Sequence, residues 1–253
     1  MSEEVTRPLK KKRSKEEILE IIVAIFLGIT ALTTAWGSWV GSLHGGNQAT
    51  NYTTSNNLAA DGNARYNQAA QTMMQDMILW SEIGDLQMDI QFSQTYEDEI
   101  TVQMDSYKLY YKCMEQLSET MAEQIAWDFD TYMDMEPEAA VLAWMTNEQA
   151  LTSPFSSQEY VDAYFADANE VLAQSEEVLA QGKQDNANGD AFGLATVIYS
   201  VVLFMLGIAG TFKNLPNRTL IVAVAILGFV AATVYMMTIP MPTGFHIASF
   251  FGG

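Results

Sequence analysis

The sequence predicts an all-α fold: three transmembrane helices and a helical extracytoplasmic domain whose long helices continue from spans 1 and 2. Three observations predict it. Apolar stretches at 18–43, 191–212 and 219–239 carry no charge apart from Glu20, and about 20 apolar residues in a helix are enough to cross the hydrocarbon core. Residues 47–190 show no strand-like alternation, few glycines and only Pro137 and Pro154 as breakers, which favours helices. Finally, apolar residues at four-and-three spacing lead out of the first span and back into the second, as in packed helical stalks.

Residues 1–17 form a basic tail with Arg7, Lys10, Lys11, Lys12, Arg13 and Lys15, and a second basic pair, Lys213 and Arg218, lies in the turn at 213–218. Lys and Arg mark cytoplasmic flanks, so both segments are expected inside and residues 44–190 outside. The first apolar run is too long for a cleavable signal and lacks a small-residue cleavage site; it reads as an uncleaved signal anchor. Trp36 and Trp39 fall at the outer interface, Gly45 and Gly46 where the chain leaves the lipid. Glu20 falls at headgroup depth near Lys15. Thr30, Thr34 and Ser38 form a small polar stripe along span 1, either packing against other helices or lining a path in an oligomer. Gly37 and Gly41, Gly28 with Ala24, and Ala225, Gly228 and Ala232 are small residues suited to close helix approach.

The outer segment 44–190 holds 26 Asp or Glu against four Lys or Arg, a net of −22 within a chain of −19. That charge opposes nucleic-acid binding. One seam steps through Ala49, Tyr52, Asn56, Ala59, Asn63, Tyr66, Ala70, Met73, Met77 and Trp80. A returning seam steps through Val161, Phe165, Ala168, Leu172, Ser175 and Leu179. Between them, 83–135 reads as further helix with Met88, Phe92, Met104, Tyr107, Tyr111, Met114, Leu117 and Met121 as core candidates. Pro137 opens a short helix to Trp144, and Ser156 or Ser157 caps the next. "GKQDNANGD" at 182–190 reads as a wetter stretch of continuous helix that ends with Asp190 at the outer interface. Residues 240–253 form an outer tail.

Candidate chemistry is sparse. Asp128, Asp130, Asp134 and Glu136 in "WDFDTYMDMEPE" are rich in oxygen ligands, but Tyr132 and Met133 stand where a calcium loop needs a ligand and a glycine; the cluster reads as a solvated acidic face with weak attraction for cations. Glu97, Asp98 and Glu99 read as exposed surface. His44 and His246 both map beyond a span and read as interfacial packing, lacking the companions of a zinc site. Cys113 stands alone and reads as a buried small residue rather than half of an intermolecular disulfide. No nucleophile elbow, phosphate loop or dinucleotide fingerprint is present, so the chain reads as non-enzymatic and without a cofactor.

The run Thr33-Thr34-Ala35-Trp36-Gly37-Ser38, then Gly46-Asn47-Gln48-Ala49, resembles a family of uncharacterised bacterial inner-membrane proteins. So do Ser153-Pro154-Phe155, Tyr160, the Ala/Glu-rich helix after it and "LFMLGIAGTFKN". The resemblance covers both ends of the chain and implies one N-terminal anchor, two C-terminal spans and a bacterial or archaeal origin. It assigns no activity. Two functions are therefore expected to compete: a structural or interaction component forming a homo-oligomer, with a possible extracytoplasmic protein partner, and a channel or transport component with span 1 lining the path. The lipid bilayer is the partner common to both.

Overall fold

A computed structural model describes residues 14–213 and 216–245. The basic residues from Arg7 to Arg13, His246 and the end of the C-terminal tail lie outside the described residues. Seven α-helices, α1 (Lys15–Thr95), α2 (Glu99–Gln116), α3 (Glu119–Gln124), α4 (Phe129–Met133), α5 (Pro137–Trp144), α6 (Gln158–Thr211) and α7 (Arg218–Met237), make up the described architecture with two short 3-10 turns before α6. No strand occurs among the described residues. Three helices, α1, α6 and α7, are long and apolar enough to cross a membrane. Both α1 and α6 run on past their apolar spans without a break, and the 182–190 stretch is helical throughout.

Local chemistry sets the boundaries. Ser14 and Glu17 form a reciprocal capping box at the start of α1, the Glu17 amide donating to Ser14 Oγ and the Ser14 amide to a Glu17 carboxylate oxygen. The helix ends where Glu97 takes a left-handed conformation, φ 59°, and Asp98 then caps α2 by accepting from the Thr101 amide and hydroxyl. Ser118 caps α3, Asp128 caps α4, Pro137 occupies the first turn of α5, and Ser157 accepts from the Tyr160 amide at the start of α6.

The chain forms two compact units, one comprising the described residues up to Ser55 and from Glu177 onward, the other Asn56–Glu176. In the first unit, α1, α6 and α7 pack through Val23, Val202, Leu206, Ala209, Val222 and Ala225. The small residues serve this packing. A Cβ at Gly37 would lie 3.0 Å from Thr196 Cγ2, one at Gly41 3.3 Å from Phe192 Cβ, and one at Gly228 3.3 Å from Val202 Cγ2. Gly28 has open space instead and takes no part in close packing. Arg218 is buried and donates from Nε to the Ala209 carbonyl at 2.7 Å, placing a cation at the C-terminal end of α6, where the helix dipole favours it. Glu20 pairs with Lys213 at 2.8 Å, so its partner comes from the α6–α7 turn and not from Lys15.

The second unit is built around Ile83, Ile90, Leu109, Cys113, Met121, Ile125, Trp144 and their neighbours. Trp144 donates from Nε1 to the Ile125 carbonyl at 2.8 Å and meets Trp127 edge to face, while Gln87 reaches the buried Ala150 carbonyl. Two sequence expectations fail here. The seam of α1 is displaced by one residue: Ser55, Gly62 and Asp76 are buried, whereas Asn56, Asn63, Tyr66 and Met77 are exposed. Tyr66 still touches Phe165, ring centroids 4.6 Å apart. Of the core candidates, Met88, Phe92, Met104, Tyr107 and Tyr111 are exposed, and only Met114, Leu117 and Met121 join the core. These helices carry apolar residues on two sides, and periodicity alone does not say which side faces inward. The returning seam holds, with Ala168 and Ser175 buried and Val161, Phe165, Leu172 and Leu179 half-buried.

Candidate functional site

Two buried polar constellations and one exposed apolar surface are the candidates. In the first unit, His44 of α1 is fully buried and stacks on Phe192. Its Nδ1 lies 3.0 Å from Asp185 Oδ1, its Nε2 3.0 Å from the Pro240 carbonyl, and Asn51 donates to the other Asp185 oxygen at 2.9 Å. A carbonyl only accepts, so Nε2 is the donor to Pro240 and Nδ1 is the ring atom that faces the Asp185 carboxyl. The network joins α1, α6 and the segment after α7. Asn47 adds a second tie to that segment through Thr243. Sequence reading placed His44 at an interface as packing; its pairing with Asp185, 141 residues away, had no local signal.

In the second unit, Asp76 is buried and accepts from Ser118 Oγ at 3.0 Å and Tyr164 Oη at 2.5 Å. Because Tyr164 spends its hydrogen on Asp76, Tyr160 donates to Tyr164. Burial first, and then the bond to Asp76, pushes the Tyr164 phenol far above its ordinary value; burial also raises that of Tyr160. Both phenols are held neutral, and the network pins α1, the start of α3 and α6 together. Cys113 is fully buried and its thiol is pushed up by desolvation, the reverse of what a nucleophilic thiolate needs.

The stripe on span 1 does not present one face. Thr30 is fully buried inside the first unit, Thr34 is half-buried and bonds back to the Thr30 carbonyl at 2.7 Å, and Ser38 is exposed. In the acidic stretch, Asp128 spends its carboxylate on capping α4, which holds its pKa below the usual carboxylate range, chiefly through the Thr131 hydroxyl. Asp130 and Asp134 are exposed, and Glu136 accepts from Tyr107 Oη. Among the described residues no three His, Cys, Asp or Glu side chains converge as a metal site. Asp98 is exposed as expected but has a structural task as the α2 cap.

The exposed surface is the larger departure from expectation. On α1 of the second unit, Met74, Met77, Ile78, Met88 and Phe92 are exposed, and on α2 so are Ile100, Met104, Tyr107 and Tyr111. From Tyr66 to Ser81 the chain carries a single charge, Asp76, and that one is turned inward. Compared with known proteins, the chain matches no family model, no curated protein and no solved structure.

Proposed function

We propose that the protein is a non-enzymatic structural or interaction component of a bacterial or archaeal cytoplasmic membrane that works as a homo-oligomer. It is anchored by three spans and displays its acidic helical domain outside. The observation that carries this reading is the run of exposed Met, Ile, Phe and Tyr side chains on a domain of net charge −22. Single apolar residues on a surface mean little, but contiguous faces of this kind mark contact sites. The most elaborate buried polar network of the same domain, around Asp76 and Tyr164, is engaged in pinning helices, which favours contact over chemistry.

Dense negative charge on each copy repels its neighbours, and repulsion between exposed charges falls as the Debye length shortens from ~30 Å at about 0.01 M salt to ~8 Å at about 0.15 M. Apolar contact is not screened. Mass measurement of the purified protein in nanodiscs at both salt concentrations tests the proposal. A multimer that grows more populated with salt is the expected result. A strict monomer at both concentrations rejects it.

A further inference from the structure

We infer that the apolar outer face of α1, from Ala70 to Phe92, is the surface on which a second copy of the same chain docks, α1 against α1 in parallel; the inference rests on the homo-oligomer reading above. The spacing comes first. Ala70, Met74, Met77, Ser81, Gly84 and Met88 follow one another at alternating steps of four and three, the repeat of a two-helix seam, and they lie on the side of α1 away from its buried row of Asp76, Leu79, Ile83, Gln87 and Ile90. The helix therefore carries two seams. One is used within the chain.

Area and charge then select the occupant. Met74, Met77, Ile78, Met88 and Phe92 are exposed by 64%, 47%, 57%, 52% and 63%. At about 200 Å² for a fully exposed side chain of this size, they offer roughly 600 Å² per copy, most of the ~800 Å² each partner gives to a standard interface. The face has shape as well as area. Ala70, Met73, Met74, Met77, Ile78 and Ser81 line a shallow, open depression of about 480 Å³ on this face. Gly84 sits mid-helix with nothing within 4 Å of where its Cβ would stand. No contact inside the chain requires a glycine there, although glycine weakens a helix; close approach of a second helix from outside uses it.

A basic partner would be drawn to the carboxylates that cover the rest of the domain, not to 66–81, whose one charge, Asp76, is turned inward, whereas a second copy meets this face with the same apolar, four-and-three pattern. Two copies anchored in one bilayer send α1 out in the same direction, so their pairing is parallel and two-fold, and each seam residue faces its own counterpart. Asp85, at the margin of the seam, then faces the other copy's equivalent residue, which makes the pairing tighten with salt.

Disulfide trapping in nanodiscs tests the face directly, because Cys113 is the sole cysteine and is buried. Under mild oxidation Ser81→Cys is expected to give a covalent dimer in most molecules, while Gln75→Cys, exposed on the flank, gives little. A second variant, Met74→Glu with Met77→Glu, alters only exposed positions and is expected to leave helical content and melting of the monomer intact while shifting the mass to one copy. If the native protein is a multimer but Ser81→Cys traps no better than Gln75→Cys, or the double variant stays multimeric, this face is overturned and the oligomer reading stands. A native monomer at both salt concentrations overturns both, and leaves the face to some other protein.

Discussion

At the scale of single residues, the His44–Asp185 contact is the most demanding feature of the first unit. A carboxyl group 2% exposed depends on the few donors that reach it, and the two shown are His44 and Asn51. His44→Ala removes the ring that also holds Pro240. Breaking a buried pair by removing one partner costs about 3–5 kcal/mol, so the variant is expected to unfold at markedly lower temperature, by calorimetry in detergent. The double variant with Asp185→Leu should lose less than the two single losses combined, because no lone carboxylate is left behind. Additive losses would show the pair uncoupled. Cys113 makes a simpler prediction. Fully buried and with its thiol pushed up, it should resist maleimide in the folded protein and react only after denaturation; fast labelling of the native state would contradict its place in the core.

Helices α1 and α2 explain how much was legible and where legibility ended. The existence, type and continuity of the long helices could be read from apolar length and scarce breakers. The inward face of α1 could not, because its buried positions carry Ser55, Gly62 and Asp76 while large apolar residues lie on the outside, and a search for apolar spacing finds the outer row. Glycine was the available signal. A Cβ at Gly62 would stand 2.8 Å from Leu172 Cγ and Cδ2, so Gly62→Ala is expected to destabilise the fold by about 1–3 kcal/mol through overpacking. Gly84→Ala, introduced into the Met74→Glu, Met77→Glu background where the outer face has no partner, should instead stabilise by about 1 kcal/mol through helix propensity. Chemical denaturation of both variants separates inner from outer seam. The caps add a pH dependence. Asp98 and Asp128 have folded pKa values lowered chiefly by the Thr101 and Thr131 hydroxyls, so their contribution is present above the unfolded carboxylate value of about 3.9 and is lost as pH falls through the lower folded value. Below pH ~4 the stability of the native chain should therefore drop more steeply than that of the Asp98→Asn, Asp128→Asn variant, whose caps do not titrate; parallel curves would remove the carboxylates from this role.

At the scale of the whole molecule, the first unit groups the ends of its three helices into two sets, and the orientation we propose for them is argued from charge. Glu20, near the start of α1, meets Lys213, and Arg218 meets the last turns of α6, so the start of span 1 and the α6–α7 turn occupy one end of this unit. His44 meets Asp185 and Pro240 at the other, which places the end of span 1, the start of span 2 and the exit of α7 together. Lys and Arg near span ends resist translocation, so the basic residues that the sequence carries before span 1 and between spans 2 and 3 predict which of these ends faces the cytosol. On that prediction the N-terminus lies inside and the C-terminus outside. Single cysteines introduced at Ser2 and at Gly253, each in the native background, decide this by labelling intact cells with a membrane-impermeant maleimide. Cys113 is buried and should contribute no background. Label is expected at Gly253 and not at Ser2 until the cells are opened. Label at Ser2 in intact cells would invert the orientation, move the acidic domain to the cytosol and direct the search for its contacts there, while leaving the α1 seam and its trapping test unchanged, because that pairing needs only that both copies share one membrane and one direction.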